Sequence, residues 1–223
     1  MPDVGFEANG GQGTGYLAEP EAEGPGAIVI HEWWGLDDSM RKMVDRFAGE
    51  GFVALSPDLY EGETTEQPDE AEQKLMALNM DEAVKKMRGG VKRVLESEKC
   101  NGRVGAVGFC AGGGLAVWAA AEDPDISASV TYYYVMPHGK PDFSKVNGPV
   151  LGHFGTEDEF IPPDAARELE QEMNSAGIET TFEFYEGGGH AFANDHDRLG
   201  TYNEEYAEQA WRKTVDFLKQ NLS

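Results

Sequence analysis

Long apolar runs are missing from this chain. No stretch of about 20 apolar residues occurs, which excludes a membrane-spanning helix. Cysteine is scarce, with 2 in 223 residues, too few for a disulfide framework. Basic residues are scarce too: 18 Lys and Arg face 41 Asp and Glu, leaving a formal charge of −23 and a pI near 4.4. That field repels polyanions, so neither nucleic acid nor an anionic membrane is an expected partner. Met1 to Gly15 has neither a basic stretch nor an apolar core. No signal peptide is therefore expected, and a cytoplasmic location is.

What is present suits a packed core: 40% of residues are apolar and 28 are glycine. The acidic residues are dispersed, as in Glu19–Glu23, Glu61–Glu72, Glu168–Glu172 and Glu204–Glu208. Dispersed acid with few lysines is the pattern of adaptation to concentrated salt, where a screening length of about 3 Å removes self-repulsion. An ordinary acidic protein is the alternative.

Strands and helices alternate along the chain. Val4–Ala8 and Gly13–Leu17 read as a hairpin across Asn9-Gly10-Gly11. Ala27–Ile30, Val53–Leu55, Val104–Phe109, Ala128–Val135, Val150–Phe154 and Thr180–Tyr185 read as strands. Helices are expected behind the possible caps Asp37, Asp38 and Ser39, and over Gly112–Ala121. A loop over Glu61–Asp69 leads into one long helix with Val84, Met87, Val91, Val94 and Leu95 on a face, ending at Cys100. Ala166, Leu169, Met173 and Ala176 mark a helix entered through Pro162, and Trp211, Val215, Leu218 and Leu222 mark the last. The pattern implies one domain over residues 1–223: a mostly parallel sheet, an N-terminal antiparallel hairpin, and helices on both faces.

Chemistry gathers at three strand ends. Gly108-Phe109-Cys110-Ala111-Gly112 has the G-x-S-x-G spacing of a nucleophile elbow with cysteine in place of serine. The turn is too sharp for bulky side chains two residues either side of the nucleophile, and it sets the sulfur at a helix N-terminus, where positive partial charge favours thiolate. Asp158 follows the strand Val150–Phe154, and His190 follows Thr180–Tyr185. Nucleophile, acid, histidine is the chain order of the α/β-hydrolase fold. Cys110 would attack an acyl carbon, His190 would shuttle the proton, and Asp158 would fix the imidazole tautomer. Glu157 and Glu159 compete for the acid role, Asp158 could instead cap a helix, and His190 could be a loop histidine. The loop His31-Glu32-Trp33-Trp34-Gly35 is placed to supply an oxyanion-hole N–H from Trp33, with the second from Ala111.

With Cys110, Asp158, His190 and the Glu32 loop, the sequence resembles the dienelactone hydrolase (carboxymethylenebutenolidase) family over nearly its whole length. The resemblance implies hydrolysis of a small-molecule lactone or ester through a thioester acyl-enzyme, without metal or organic cofactor. It implies that Glu32 contacts the thiol and assists thiolate formation. It also implies arginines that hold a substrate carboxylate, one just after His-x-Phe-Ala and one after Asp-Leu-Tyr. Asn194 stands at the first of these positions, and no arginine occurs between Arg46 and Arg88. Lysines such as Lys74 would act only as point charges. The expected substrate is therefore a neutral or hydrophobic ester or lactone. Trp33, Trp34, Tyr60, Tyr133, Tyr134, Phe160 and Phe192 are candidate pocket residues beside Asn194.

A thiol redox sensor or a binding protein on the same fold is the competing reading, as is a monomer against a small homo-oligomer. His31, His138, His153 and His196 lack metal-ligand spacing, and Asp195-His196-Asp197 reads as a solvated loop.

Overall fold

The computed structural model describes residues 3–223. Met1 and Pro2, which open the segment read as lacking a signal peptide, lie outside the described residues. β1 (Asp3–Ala8) and β2 (Gly11–Ala18) pair antiparallel across Asn9 and Gly10. Both turn residues have positive φ, 43° and 94°, the two-residue geometry whose twist matches a hairpin. β3 (Gly24–Ile30) leads to α1 (Asp38–Gly49), where Asp37 is the cap: its carboxylate accepts the Met40 N–H at 3.0 Å. β4 (Val53–Pro57) follows.

The expected loop after Glu61 runs to Gln67, two residues short of Asp69, and the expected single long helix is corrected to two helices, α2 (Pro68–Ala77) and α3 (Met80–Leu95). Pro68 suits a first helical turn, where its missing N–H costs nothing. Leu78 then takes extended backbone, and Asn79 caps α3 by accepting the Glu82 N–H. Cys100 does not end a helix; it opens β5 (Cys100–Phe109). After α4 (Ala111–Glu122), β6 (Ile126–Tyr132) stops short of the expected Val135, because Tyr133 turns to a φ of 39°. β7 (Val150–Gly155), α5 (Pro163–Ser175), β8 (Thr180–Tyr185) and α6 (Glu204–Asn221) complete the chain.

The eight strands form one sheet in the order β1-β2-β4-β3-β5-β6-β7-β8, parallel except for the β1–β2 and β2–β4 pairs. Side chains of β3 alternate between two apolar layers. Ala27 and Val29 face α1 and α6, where the Phe47 and Trp211 rings meet at 4.6 Å. Ile28 and Ile30 join the layer of Met87, Val91 and Val94 from α3. α4 is buried on nearly every side, and its N-terminus abuts the end of β5. Strand order reverses between β3 and β5. The loops after those strands therefore diverge and leave a crevice, the usual place for a site in an open parallel sheet.

Candidate active site

Cys110 links β5 to α4 with φ 55° and ψ −119°, a conformation that L residues avoid. Sterics around it explain the local sequence. A Cβ on Gly108 would lie 1.8 Å from the Gly112 carbonyl oxygen, and one on Gly112 would lie 2.3 Å from that of Ile30. Only glycine lets the strand, the turn and the helix approach this closely. The turn is tied to its neighbours: the Cys110 N–H donates to the Tyr132 carbonyl, and the Val135 N–H donates to that of Cys110, both at 3.1 Å. The sulfur sits at the first turn of α4 and Cys110 is buried.

His190 and Asp158 meet from the ends of β8 and β7. Their Nδ1–Oδ2 separation is 2.8 Å, and both side chains are almost wholly buried. Asp158 is itself held, because its Oδ1 accepts the N–H groups of Phe160 (2.8 Å) and Ile161 (3.0 Å). Thr201 donates its hydroxyl to the His190 carbonyl. Burial disfavours a charged imidazole, but Asp158 and the Cys110 sulfur outweigh it and lift the His190 pKa to about 10. Nε2, the nitrogen away from Asp158, is buried and has no partner in strict hydrogen-bond geometry. Of the three acidic residues, Asp158 reaches the histidine, while Glu157 and Glu159 line an outer recess of about 620 Å³.

Glu32 approaches from the loop after β3. Its Oε2 accepts from the Asn194 side-chain amide at 2.7 Å, and Tyr133 OH lies 3.5 Å from its Oε1. Burial raises its pKa, against the opposing pull of His190 and Asn194. Among the described residues no hydrogen bond joins Glu32 to the Cys110 sulfur. A cavity of about 210 Å³ between α1 and α6 ends on Glu32, Tyr133 and Asn194. The neighbouring arginines are occupied: Arg46 pairs with Glu208 at 2.5 Å, and Arg198 with Asp37 at 2.8 Å.

The aromatic candidates fall into two groups. Phe160 is half exposed, its ring 4.5 Å from that of His190 and 6.1 Å from Trp33, so it roofs the histidine. Tyr60 packs edge-on against His31 at 5.0 Å. Tyr133 lies against His190 at 5.0 Å. By contrast, Phe192 is fully buried beneath Tyr133, Trp34 is buried under the Arg198 guanidinium, and the Tyr134 hydroxyl is buried on the Glu172 side. Neither Trp33 N–H nor Ala111 N–H has a hydrogen-bond partner among the described residues. No cluster of three metal-ligating side chains occurs among those residues, and Asp195, His196 and Asp197 lie in a turn region. Sequence reasoning missed His31, Thr201 and Arg198. The first two act through backbone groups, and nothing in the sequence announces such contacts.

The dienelactone hydrolase family profile matches residues 14–222. The chain belongs to that family. This membership makes it an enzyme of the carboxylic ester and lactone hydrolase class. It is 37% identical to Protein usf of Aquifex pyrophilus, over 99% of this chain and 98% of that protein. It is 33% identical to an Aquifex aeolicus protein provisionally named a carboxymethylenebutenolidase, over 98% of each. In structure it resembles a dienelactone hydrolase-like promiscuous phosphotriesterase from metagenomic libraries, with a TM-score of 0.88 at 17% identity. That likeness covers 100% of this chain and 98% of the other, and it concerns the fold. Among the described residues no helix is long and apolar enough to cross a membrane.

Proposed function

We propose that this enzyme hydrolyses neutral or hydrophobic esters and lactones through a thioester on Cys110. One observation carries the reading: a buried His190 is held by Asp158 through Nδ1 while Nε2 is left for the thiol at a strained elbow. His190 takes the thiol proton and Sγ attacks the acyl carbon. The Trp33 and Ala111 N–H groups receive the oxyanion. His190 then returns the proton to the departing alcohol or enol, which leaves as the thioester forms. Water, deprotonated by His190, attacks that thioester, and the carboxylic acid departs as the thiol is restored. Glu32, with a raised pKa and beside the histidine, assists proton transfer at the thiol.

Charge supports a neutral substrate. Arg46 and Arg198 are each held by a carboxylate, Asn194 is spent on Glu32, and a charge of −23 does not draw anions in. The dispersed acid also supports adaptation to salt. A panel of short-chain aryl esters, neutral lactones and dienelactone, assayed in dilute and molar salt, tests these points together. Neutral esters should turn over fastest, with activity and melting temperature rising with salt. Cys110→Ala should abolish turnover and the acyl-enzyme mass. Equal hydrolysis by Cys110→Ala would overturn the nucleophile, and faster dienelactone turnover would overturn the substrate class.

A further inference from the structure

His31 is 2% exposed and stands between the loop after β3 and the loop after β4. Its Nε2 accepts the Leu59 N–H at 3.3 Å. A backbone amide can only donate, so Nε2 carries the lone pair and the ring proton resides on Nδ1. Nδ1 then donates to the Glu32 carbonyl at 2.7 Å. That same carbonyl accepts the Gly35 N–H at 3.2 Å. Burial keeps the imidazole pKa below its ordinary value, consistent with a neutral ring. The Tyr60 ring lies edge-on at 5.0 Å, and the Thr65 N–H donates to the Trp34 carbonyl at 3.1 Å, bracing the loop from the same side.

The Glu32 carbonyl and the Trp33 N–H belong to one peptide unit. The chain has no cis peptide bond among its described residues, so the two groups point in opposite directions. Holding the carbonyl toward His31 therefore turns the Trp33 N–H away from it. Drawing electron density toward a bonded carbonyl also makes the N–H of that unit a better donor. We infer that His31 is a positioning residue for hydrolysis: it clamps the Glu32–Trp33 peptide so that the Trp33 N–H faces the acyl oxygen bound to Cys110. The inference rests on the oxyanion-hole reading above.

Three variants test it beside the wild type: His31→Leu, His31→Asn and His31→Gln. Asparagine can place an amide N–H near the position of Nδ1, and glutamine can place an oxygen near that of Nε2. His31→Leu should lose about 10–100-fold in kcat, with KM within about twofold, since the loss falls on the transition state. An aldehyde analogue of the acyl group, whose thiol adduct carries the same oxyanion, should weaken by the same factor. His31→Asn should recover most of the loss and His31→Gln should not. Alkylation of Cys110 by iodoacetamide develops no oxyanion, so its rate should hold within about twofold. If His31→Leu does not fold, the Asn and Gln pair decides alone. Unchanged kcat, rescue by Gln in place of Asn, or alkylation falling with kcat would each overturn the clamp. Cys110→Ala is run alongside: undiminished hydrolysis there condemns the nucleophile reading, independently of His31.

Discussion

The two walls of the site are built by different means. On the Cys110 wall, backbone contacts decide everything: Gly108 and Gly112 sit where any Cβ would strike a carbonyl, and Cys110 is held at positive φ. On the Glu32 wall, side chains decide. One hydrogen bond from the Asn194 amide, a 3.5 Å approach of Tyr133 and a neighbouring 210 Å³ cavity set the carboxyl group, and among the described residues no cation pairs with it. The first wall tolerates almost no change, so it preserves a reaction. The second can exchange one side chain for another with the backbone unmoved, so it can change what is hydrolysed.

The sharpest attempt to break this contrast is a β-branched residue at Gly112. Gly112→Val should destabilise the protein by more than about 4 kcal/mol and leave little soluble enzyme, measured by thermal unfolding and expression. Near-normal stability would mean that the elbow is not sterically locked.

A smaller effect is expected at Asp158. The folded protein holds the His190 proton up to a pH of about 10, whereas the unfolded chain releases it near 6.5. The raised folded value means that this stabilisation is complete below about pH 6.5 and is lost as pH rises through about 10. Asp158→Asn should flatten that decline in melting temperature and lower kcat by about 10²–10⁴-fold. A wild-type melting temperature that does not fall relative to the variant over this window would break the claim.

The mildest effect is expected on the other wall. Asn194→Arg should leave stability near that of wild type and shift the ratio of anionic-lactone to neutral-ester kcat/KM upward by about tenfold. An unchanged ratio would show that residue 194 does not set substrate charge.

The two walls also differed in how legible they were. The elbow could be read because its constraints are local: the glycines, the cysteine and the preceding strand lie within ten residues. The acid and histidine could be singled out because each comes shortly after a segment that reads as a strand. The Glu32–Asn194 bond spans 162 positions and leaves no local trace. His31 was passed over for a similar reason, since its partners are backbone groups that every residue possesses. The break between α2 and α3 escaped because Leu75, Leu78 and Val84 prolong an apolar pattern through Leu78, which is extended, and the cap at Asn79 was not read. Tyr133 reads as strand by its neighbours, and its N–H still donates to the His153 carbonyl of β7, but its positive φ ends the strand and sets its ring against His190.

One feature of the scaffold bears on how the enzyme fails. α4 is enclosed by the sheet, by α3 and by the chain after β6, and it begins at the nucleophile. Its amides therefore belong with the slowest-exchanging hydrogens of the protein, opening only in the global event. Fraying of the loops or lifting of Phe160 from His190 leaves the thiol in place. Heat or denaturant should therefore dismantle the elbow in one step with the loss of the whole structure, whereas the loops that carry His190 and Asp158 can release those side chains, and with them the activity, before it.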